Sequence, residues 1–171
     1  MASPDDFVDD IFLPGGRLRL DLLSESAAAA LEESLRLARE TRWDSVRSPH
    51  VFMGLMAQPD PSIRNWGERL RADPERLLEQ FQELFHQPEG EPEPMLLLNR
   101  EFLSDNVICL LRNAYCRARD HQRPRITPMD LLISLFTAQN SIVAECFAHI
   151  GLTAAKLTEL AVIAEQQGGH S

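Results

Sequence analysis

The residues best suited to chemistry in this 171-residue chain are three cysteines and five histidines. Cys116 and His121 stand five apart in a stretch of helical periodicity. Their side chains therefore point in different directions, and nothing nearby would orient the imidazole as base for a thiolate. Cys109 and Cys116, seven apart, share a helix face, where buried thiols are expected. His50, His86, His149 and His170 show neither an HExxH pattern nor a cysteine partner at ligand spacing, so no metal site is expected. An odd cysteine count without CxxC spacing argues against a disulfide framework and fits a reducing compartment. The carboxylate pairs Asp9-Asp10 and Glu32-Glu33 lie in polar surroundings, without the burial that tunes a catalytic acid. The run Arg117, Arg119, Arg123, Arg125 is the best nucleic-acid candidate, but Asp120 interrupts it and no aromatic residue follows Tyr115. No GxxxxGK[ST] phosphate cradle occurs. No catalytic residue, metal or cofactor is expected, and a hydrolase built on Cys116 is the one enzymatic alternative.

Charge and composition narrow the classes further. Lys plus Arg number 17 against 26 Asp plus Glu, a net charge of −9. That balance is poorly matched to phosphate neutralisation, so nucleic acid is not an expected partner. No apolar run reaches the ~18 residues that cross a bilayer, and no membrane partner is expected. The opening MASPDDFVDDIF is acidic where a secretory signal would be basic, so the expected location is cytoplasmic.

The elements that must position any site are helices. A capping side chain followed by proline, which is tolerated at a first helical position, occurs at Ser48-Pro49, Asp60-Pro61, Asp73-Pro74 and Thr127-Pro128. Further starts lie at Ser24-Glu25, Ser104-Asp105, Asn140-Ser141 and Thr153-Ala154. These predict helices over 25–42, 49–58, 61–71, 74–86, 105–121, 128–138, 141–150 and 154–167. Ala27, Leu31, Leu35 and Ala38 form one apolar stripe, and Val107, Leu111, Tyr115 and Ala118 another. Sliding the chain by 80 residues aligns Leu23-Ser24 with Leu103-Ser104, Leu31 with Leu111, Val46 with Ile126, Ile63 with Val143 and Leu77 with Leu157. Ser48-Pro49 and Thr127-Pro128 break the register by one residue.

The expected fold is all-α: two tandem four-helix repeats, 22–86 and 102–167, with pseudo-two-fold symmetry. Residues 87–101 begin with Gln87-Pro88-Glu89-Gly90-Glu91-Pro92-Glu93-Pro94, an acidic Pro-rich linker expected to be an extended spacer, with a docking loop as the alternative. Residues 1–21 are expected to be a mobile arm able to lay apolar residues on the domain, and 168–171 a flexible tail.

With these motifs in place the chain resembles the N-terminal (Clp repeat) domain of Clp AAA+ unfoldases over about residues 22 to 165. The resemblance rests on the Leu23-Ser24 and Leu103-Ser104 openings and on the apolar segments Pro49–Leu55 and Met129–Leu135. It rests also on the turn Leu70-Arg71-Ala72-Asp73 leading into a Leu-containing helix, matched by Ile150-Gly151-Leu152-Thr153. It implies a non-catalytic recognition module binding substrates, adaptor proteins or peptide segments for a AAA+ ring, in cis or in trans. A type VI secretion unfoldase domain that binds a sheath helix, and a stand-alone regulator or scaffold of a Clp complex, are the alternatives. The family's Glu-His pair reads Pro49-His50 in the first copy and Met129-Asp130 in the second. Proline and methionine cannot pair with the guanidinium of a phosphoarginine, so that ligand is not expected. The partner-binding candidates are the cap residues Ser24 and Ser104, the motif residues Pro49, His50, Met129 and Asp130, and the apolar Phe52, Met53, Met56 and Trp66. Phe52, Met53 and Met56 would line a groove where the two repeats meet, and Trp66 would anchor a partner if exposed rather than packed in the core.

Overall fold

The computed structural model describes residues 11–90 and 95–168. It contains α1 (Glu25–Glu40), α2 (Ser48–Ala57), α3 (Pro61–Leu70), α4 (Pro74–Phe85), α5 (Asp105–Asp120), α6 (Pro128–Thr137), α7 (Ile142–Ala148) and α8 (Ala154–Gly168). Single 3-10 turns at Leu20–Leu22 and Arg100–Phe102 precede α1 and α5. The caps follow from side chains that satisfy otherwise unpaired amides. Ser24 Oγ accepts from Ala27 N at 3.1 Å, Ser104 Oγ from Val107 N at 3.3 Å, Asp60 from Ile63 N at 2.9 Å, and Ser141 Oγ from Ala144 N at 3.1 Å. Helix ends are turned by left-handed residues, Arg42 and Gln122 after α1 and α5, and Arg71 and Gly151 after α3 and α7.

The one-residue slip between Ser48 and Thr127 arises because Ser48 is not the cap of its helix. The residue preceding α2 is Arg47, whose backbone N–H is accepted by His50 Nδ1 at 2.9 Å; Ser48 already lies inside the helix. Thr127 precedes α6 and its N–H is accepted by Asp130 at 2.8 Å. Arg47 and Thr127 are 80 apart, and so are His50 and Asp130. A residue three positions into each helix reaches back to the cap, as in a capping box.

At the centre lie α2 and α6, whose residues Pro49–Met56 and Pro128–Phe136 are buried all round. A helix apolar on every side has to be enclosed. Helices α1 and α4 cover α2, helices α5 and α8 cover α6, and α3 packs along α8 from the other half. Gly54 permits the close approach of α1: a Cβ there would lie 2.2 Å from the Ala30 carbonyl oxygen. Phe52, Trp66, Phe81, Phe136 and Phe147 form one aromatic cluster, with centroids 4.6 Å apart for Phe52–Phe81 and 6.0 Å for Phe136–Phe147. Both halves contribute to it, so the halves share a core.

Backbone bonds also cross between the halves. Ser24 N donates to Ile126 O at 2.9 Å and Ile126 N to Leu22 O at 2.7 Å. The same pattern recurs with Ser104 N to Val46 O at 3.0 Å and Val46 N to Phe102 O at 2.8 Å.

Several expectations need correcting. The first ten residues lie outside those described; residues 11–21 do lay apolar side chains on the domain, but as a bonded turn and not as a mobile arm. Ile11, Phe12 and Leu18 are buried, and Leu18 N donates to Leu98 O at 3.0 Å. The apolar side chains in this short turn gain more from burial than an exposed arm would allow. The linker is likewise not a plain spacer where it is described. Gln87 N donates to Thr41 O at 2.8 Å, Arg42 donates to Pro88 O at 3.1 Å, and Leu96 is buried. Residues 91–94, and the tail with His170, lie outside the described residues. Cys109 and Cys116 are exposed, not core thiols, because Leu110, Leu111 and Ala114 take the inward face of α5. Cys146 is half-buried, and burial pushes its thiol pKa up. Among the described residues no single helix is long and apolar enough to cross a membrane.

Candidate functional site

The sequence candidates divide sharply by burial. Phe52, Met53 and Met56 are buried side chains of α2, so the place where a groove was expected is filled core. Trp66 is 0% exposed, and its indole N–H donates to Leu157 O at 3.3 Å. It fixes α3 to α8 and is unavailable as an interface anchor. Met129 is also core. Ser24 caps α1 from a half-buried position.

Pro49, His50 and Ser104 come together. They line a cleft of about 450 Å³ between the start of α2, the outer face of α5 and the α6–α7 loop. Sequence reading missed much of its wall, including Trp43, Arg47, Asn106, Cys109, Asn113 and Ile142. Asn106, Cys109 and Asn113 recur at three and then four residues, a helical stripe too polar for the core, and that spacing was the available signal.

The floor is rigid. His50 is buried, its Nδ1 accepts from Arg47 N, and its Nε2 lies 3.1 Å from Thr41 Oγ1. Because Nδ1 must accept, the neutral ring carries its proton on Nε2 and donates it to Thr41. The Thr41 hydroxyl donates onward to Leu37 O at 2.7 Å. Burial, reinforced by the nearby Arg47 charge, lowers the His50 pKa to about 3. Trp43 stands edge-on to His50 at 5.6 Å between centroids, and its indole N–H donates to Phe85 O. The Arg47 guanidinium lies over the Trp43 ring at 5.1 Å.

The corresponding positions of the second half, each 80 residues on, carry a different chemistry. Arg123 replaces Trp43, Asp130 replaces His50, Arg117 replaces Leu37 and Glu165 replaces Phe85. Asp130 is fully buried and accepts from Arg117 at 2.7 Å and from both terminal nitrogens of Arg123. Glu165 takes a bidentate pair from Arg117 at 2.7 and 2.8 Å. Burial alone would raise the Asp130 pKa, but hydrogen bonds from Arg123, Thr127 and Arg117 outweigh it and hold the pKa below the usual carboxylate range. Two cations and two anions occupy these positions, where the first half has a buried imidazole beside an indole.

Chemically, the cleft offers amides, serine hydroxyls and apolar surface with one guanidinium. Both ring nitrogens of His50 are committed, so it cannot act as a base toward Cys109. Cys116 and His121 are both exposed, and His121 Nδ1 lies 2.9 Å from the Arg117 carbonyl oxygen, not against a thiol. No group of three or more His, Cys, Asp or Glu side chains able to hold a metal occurs among the described residues.

No family model and no curated protein matches the chain. Solved structures do. The N-terminal domain of Hsp104 from Candida albicans matches with a TM-score of 0.66 at 12% identity, over 82% of this chain and 89% of that one. The N-terminal domain of the ClpV1 ATPase from the E. coli EAEC Sci1 T6SS gives 0.62 at 19% identity, over 86% and 88%. A structure described as a peptide from the EAEC T6SS Sci1 SciI protein gives 0.60 at 17% identity, over 86% and 91%. The chain therefore has the all-helical fold of the N-terminal domains of Clp-type AAA+ unfoldases.

Proposed function

We propose that the chain is a protein-recognition domain of a Clp-type AAA+ unfoldase, acting in cis or in trans in the cytoplasm and without catalysis of its own. The observation that carries this reading is the cleft of Pro49, Ser104, Asn106, Cys109 and Asn113 over the Trp43–His50 floor. Asparagine side chains both donate and accept, so they can pair with peptide N–H and C=O groups while the apolar floor takes a side chain. Substrates, adaptor proteins or exposed peptide segments suit such a surface; a nucleic acid does not suit a chain of net charge −9.

The test uses the 171-residue chain and a fluorescent, permanently unfolded protein (reduced and carboxymethylated). Binding is expected. Cys109→Tyr with Asn113→Tyr, which fills the cleft without changing charge, should weaken it at least tenfold. No binding of the unfolded protein, or unchanged binding by the variant, would overturn the reading.

The likeness to the ClpV1 domain, and to the structure described by a SciI peptide, supports a second reading. Under it the domain serves a type VI secretion unfoldase and binds a sheath helix. Secretion genes beside this one, and binding of a synthetic helix from their sheath subunit, are the expected observations.

A further inference from the structure

We propose that the open groove between α4 and α7 is a second docking site, taking a basic peptide segment anchored by an aromatic side chain, above all tryptophan. The proposal rests on the protein-recognition reading and adds a site distinct from the cleft.

Two helix pairs occupy positions related by the 80-residue offset. α3 packs along α8, whereas the positions 80 residues away, on α7 and α4, face each other across a groove and meet mainly through the Phe81 and Phe147 rings, 6.1 Å between centroids. In the first pair the Trp66 indole fills the space between the helices and donates to Leu157 O. The corresponding positions are Cys146 and Leu77. A thiol stands where the other pair has an indole, and α7 and α4 do not close. A groove of about 590 Å³ remains, floored by Leu77, Phe81 and Phe147. Its rims are apolar and uncovered: Leu84 is 63% exposed and Ile150 69%, whereas Ala164, the counterpart of Leu84, is fully buried. Exposed apolar rims around a preformed hollow are the mark of a binding groove rather than of ordinary surface.

The pair that is closed shows what fits the open one: an indole inserted between two helices with its N–H toward a helix carbonyl. Tryptophan also contributes heavily to binding where a pocket desolvates it fully. Charge selects the rest of the occupant. α4 carries Glu75, Glu79 and Glu83 against Arg76, and α7 carries Glu145 beside His149. Glu83 lines the groove itself. Basic residues flanking the anchor complement this rim, and a second copy of a chain with net charge −9 is disfavoured.

The probe is a fluorescein-labelled, 14-residue lysine–leucine amphipathic peptide with one central tryptophan, and its twin with alanine there. Both are titrated by anisotropy into the full 171-residue chain at physiological salt. The tryptophan peptide should bind at least tenfold more tightly than its twin. Leu84→Asn with Ile150→Asn alters exposed residues and leaves the rim charge unchanged; it should remove most of that preference. Cys146→Trp should fill the groove and do the same. The cleft variant, Cys109→Tyr with Asn113→Tyr, should bind the peptide within twofold of the parent. Equal binding of the two peptides, or an undiminished preference in the double asparagine variant, overturns the proposal, and that variant decides if Cys146→Trp fails to fold. If the chain still binds the unfolded protein through its cleft, the groove proposal falls alone. If it binds no polypeptide, both readings fall.

Discussion

His50 should make the stability of this domain depend on pH between about 8 and 5 in a way that one substitution abolishes. Its ring has one acceptable protonation state, since Nδ1 accepts from Arg47 N and Nε2 donates to Thr41. A proton on Nδ1 would set two donors against each other in a buried site. The unfolded chain takes up that proton with a pKa near 6.5, whereas the folded chain does so only near 3. Between those values the unfolded state binds more protons, so stability is full above pH 6.5 and falls as pH drops. At pH 5 the linkage, RT ln[(1 + 10^1.5)/(1 + 10^−2)], amounts to about 2 kcal/mol relative to pH 8. For a domain of this size that lowers Tm by roughly 4–8 °C. The window lies above that of Asp130, whose depressed pKa adds stability that is lost only as pH falls through the carboxylate range. Urea unfolding at pH 8 and pH 5 should show the 2 kcal/mol difference in the parent, and about 2 kcal/mol less pH dependence in His50→Gln. An identical pH dependence in the two proteins would refute the tautomer argument.

Asp130→Ala removes the acceptor shared by Arg117 and Arg123 and leaves two half-buried cations with Glu165 alone, so it should cost about 3–5 kcal/mol in chemical denaturation. Gly54→Ala drives a methyl group into the Ala30 carbonyl, a backbone atom that cannot swing aside; calorimetry should show a loss of about 1–3 kcal/mol or more. A chromogenic disulfide reagent should label the exposed Cys109 and Cys116 in a fast phase and Cys146 in a slow one, since burial and the neighbouring Glu145 both raise the Cys146 pKa. Three equal rates would contradict the placement of these thiols.

Legibility in the sequence followed locality. Cap residues and prolines act within a turn of their own helix, so Ser24, Asp60, Ser104 and Ser141 marked starts that the structure shares. The 80-residue offset could be read because apolar positions are set by a common core. What escaped depended on contacts between distant segments. Nothing near Leu18 or Leu98 says that their backbones would be bonded to each other. Phe52, Met53 and Met56 read as a groove because an apolar run does not reveal whether its last face is covered. The cleft was half legible: the motif residues Pro49, His50 and Ser104 pointed to it. Trp43 and Asn113 could be joined to them only once α1 and α5 were placed in space. The ionic cluster at Asp130 was hidden for the same reason, since Glu165 lies 35 residues beyond it.

The crossed backbone pairs, Ser24 with Ile126 and Val46 with Ser104, bear on how the molecule is made. A ribosome that has just released Val46 into solution has not yet synthesised the segment to which its amide and carbonyl belong. Ile126, the partner of the Leu22–Ser24 edge, lies some 80 residues after Val46, roughly 4–16 s later at usual translation speeds. Through that interval α2, apolar on every side, has α1 and α4 for cover but still lacks α6, so the nascent first half carries an apolar face that only the second half closes.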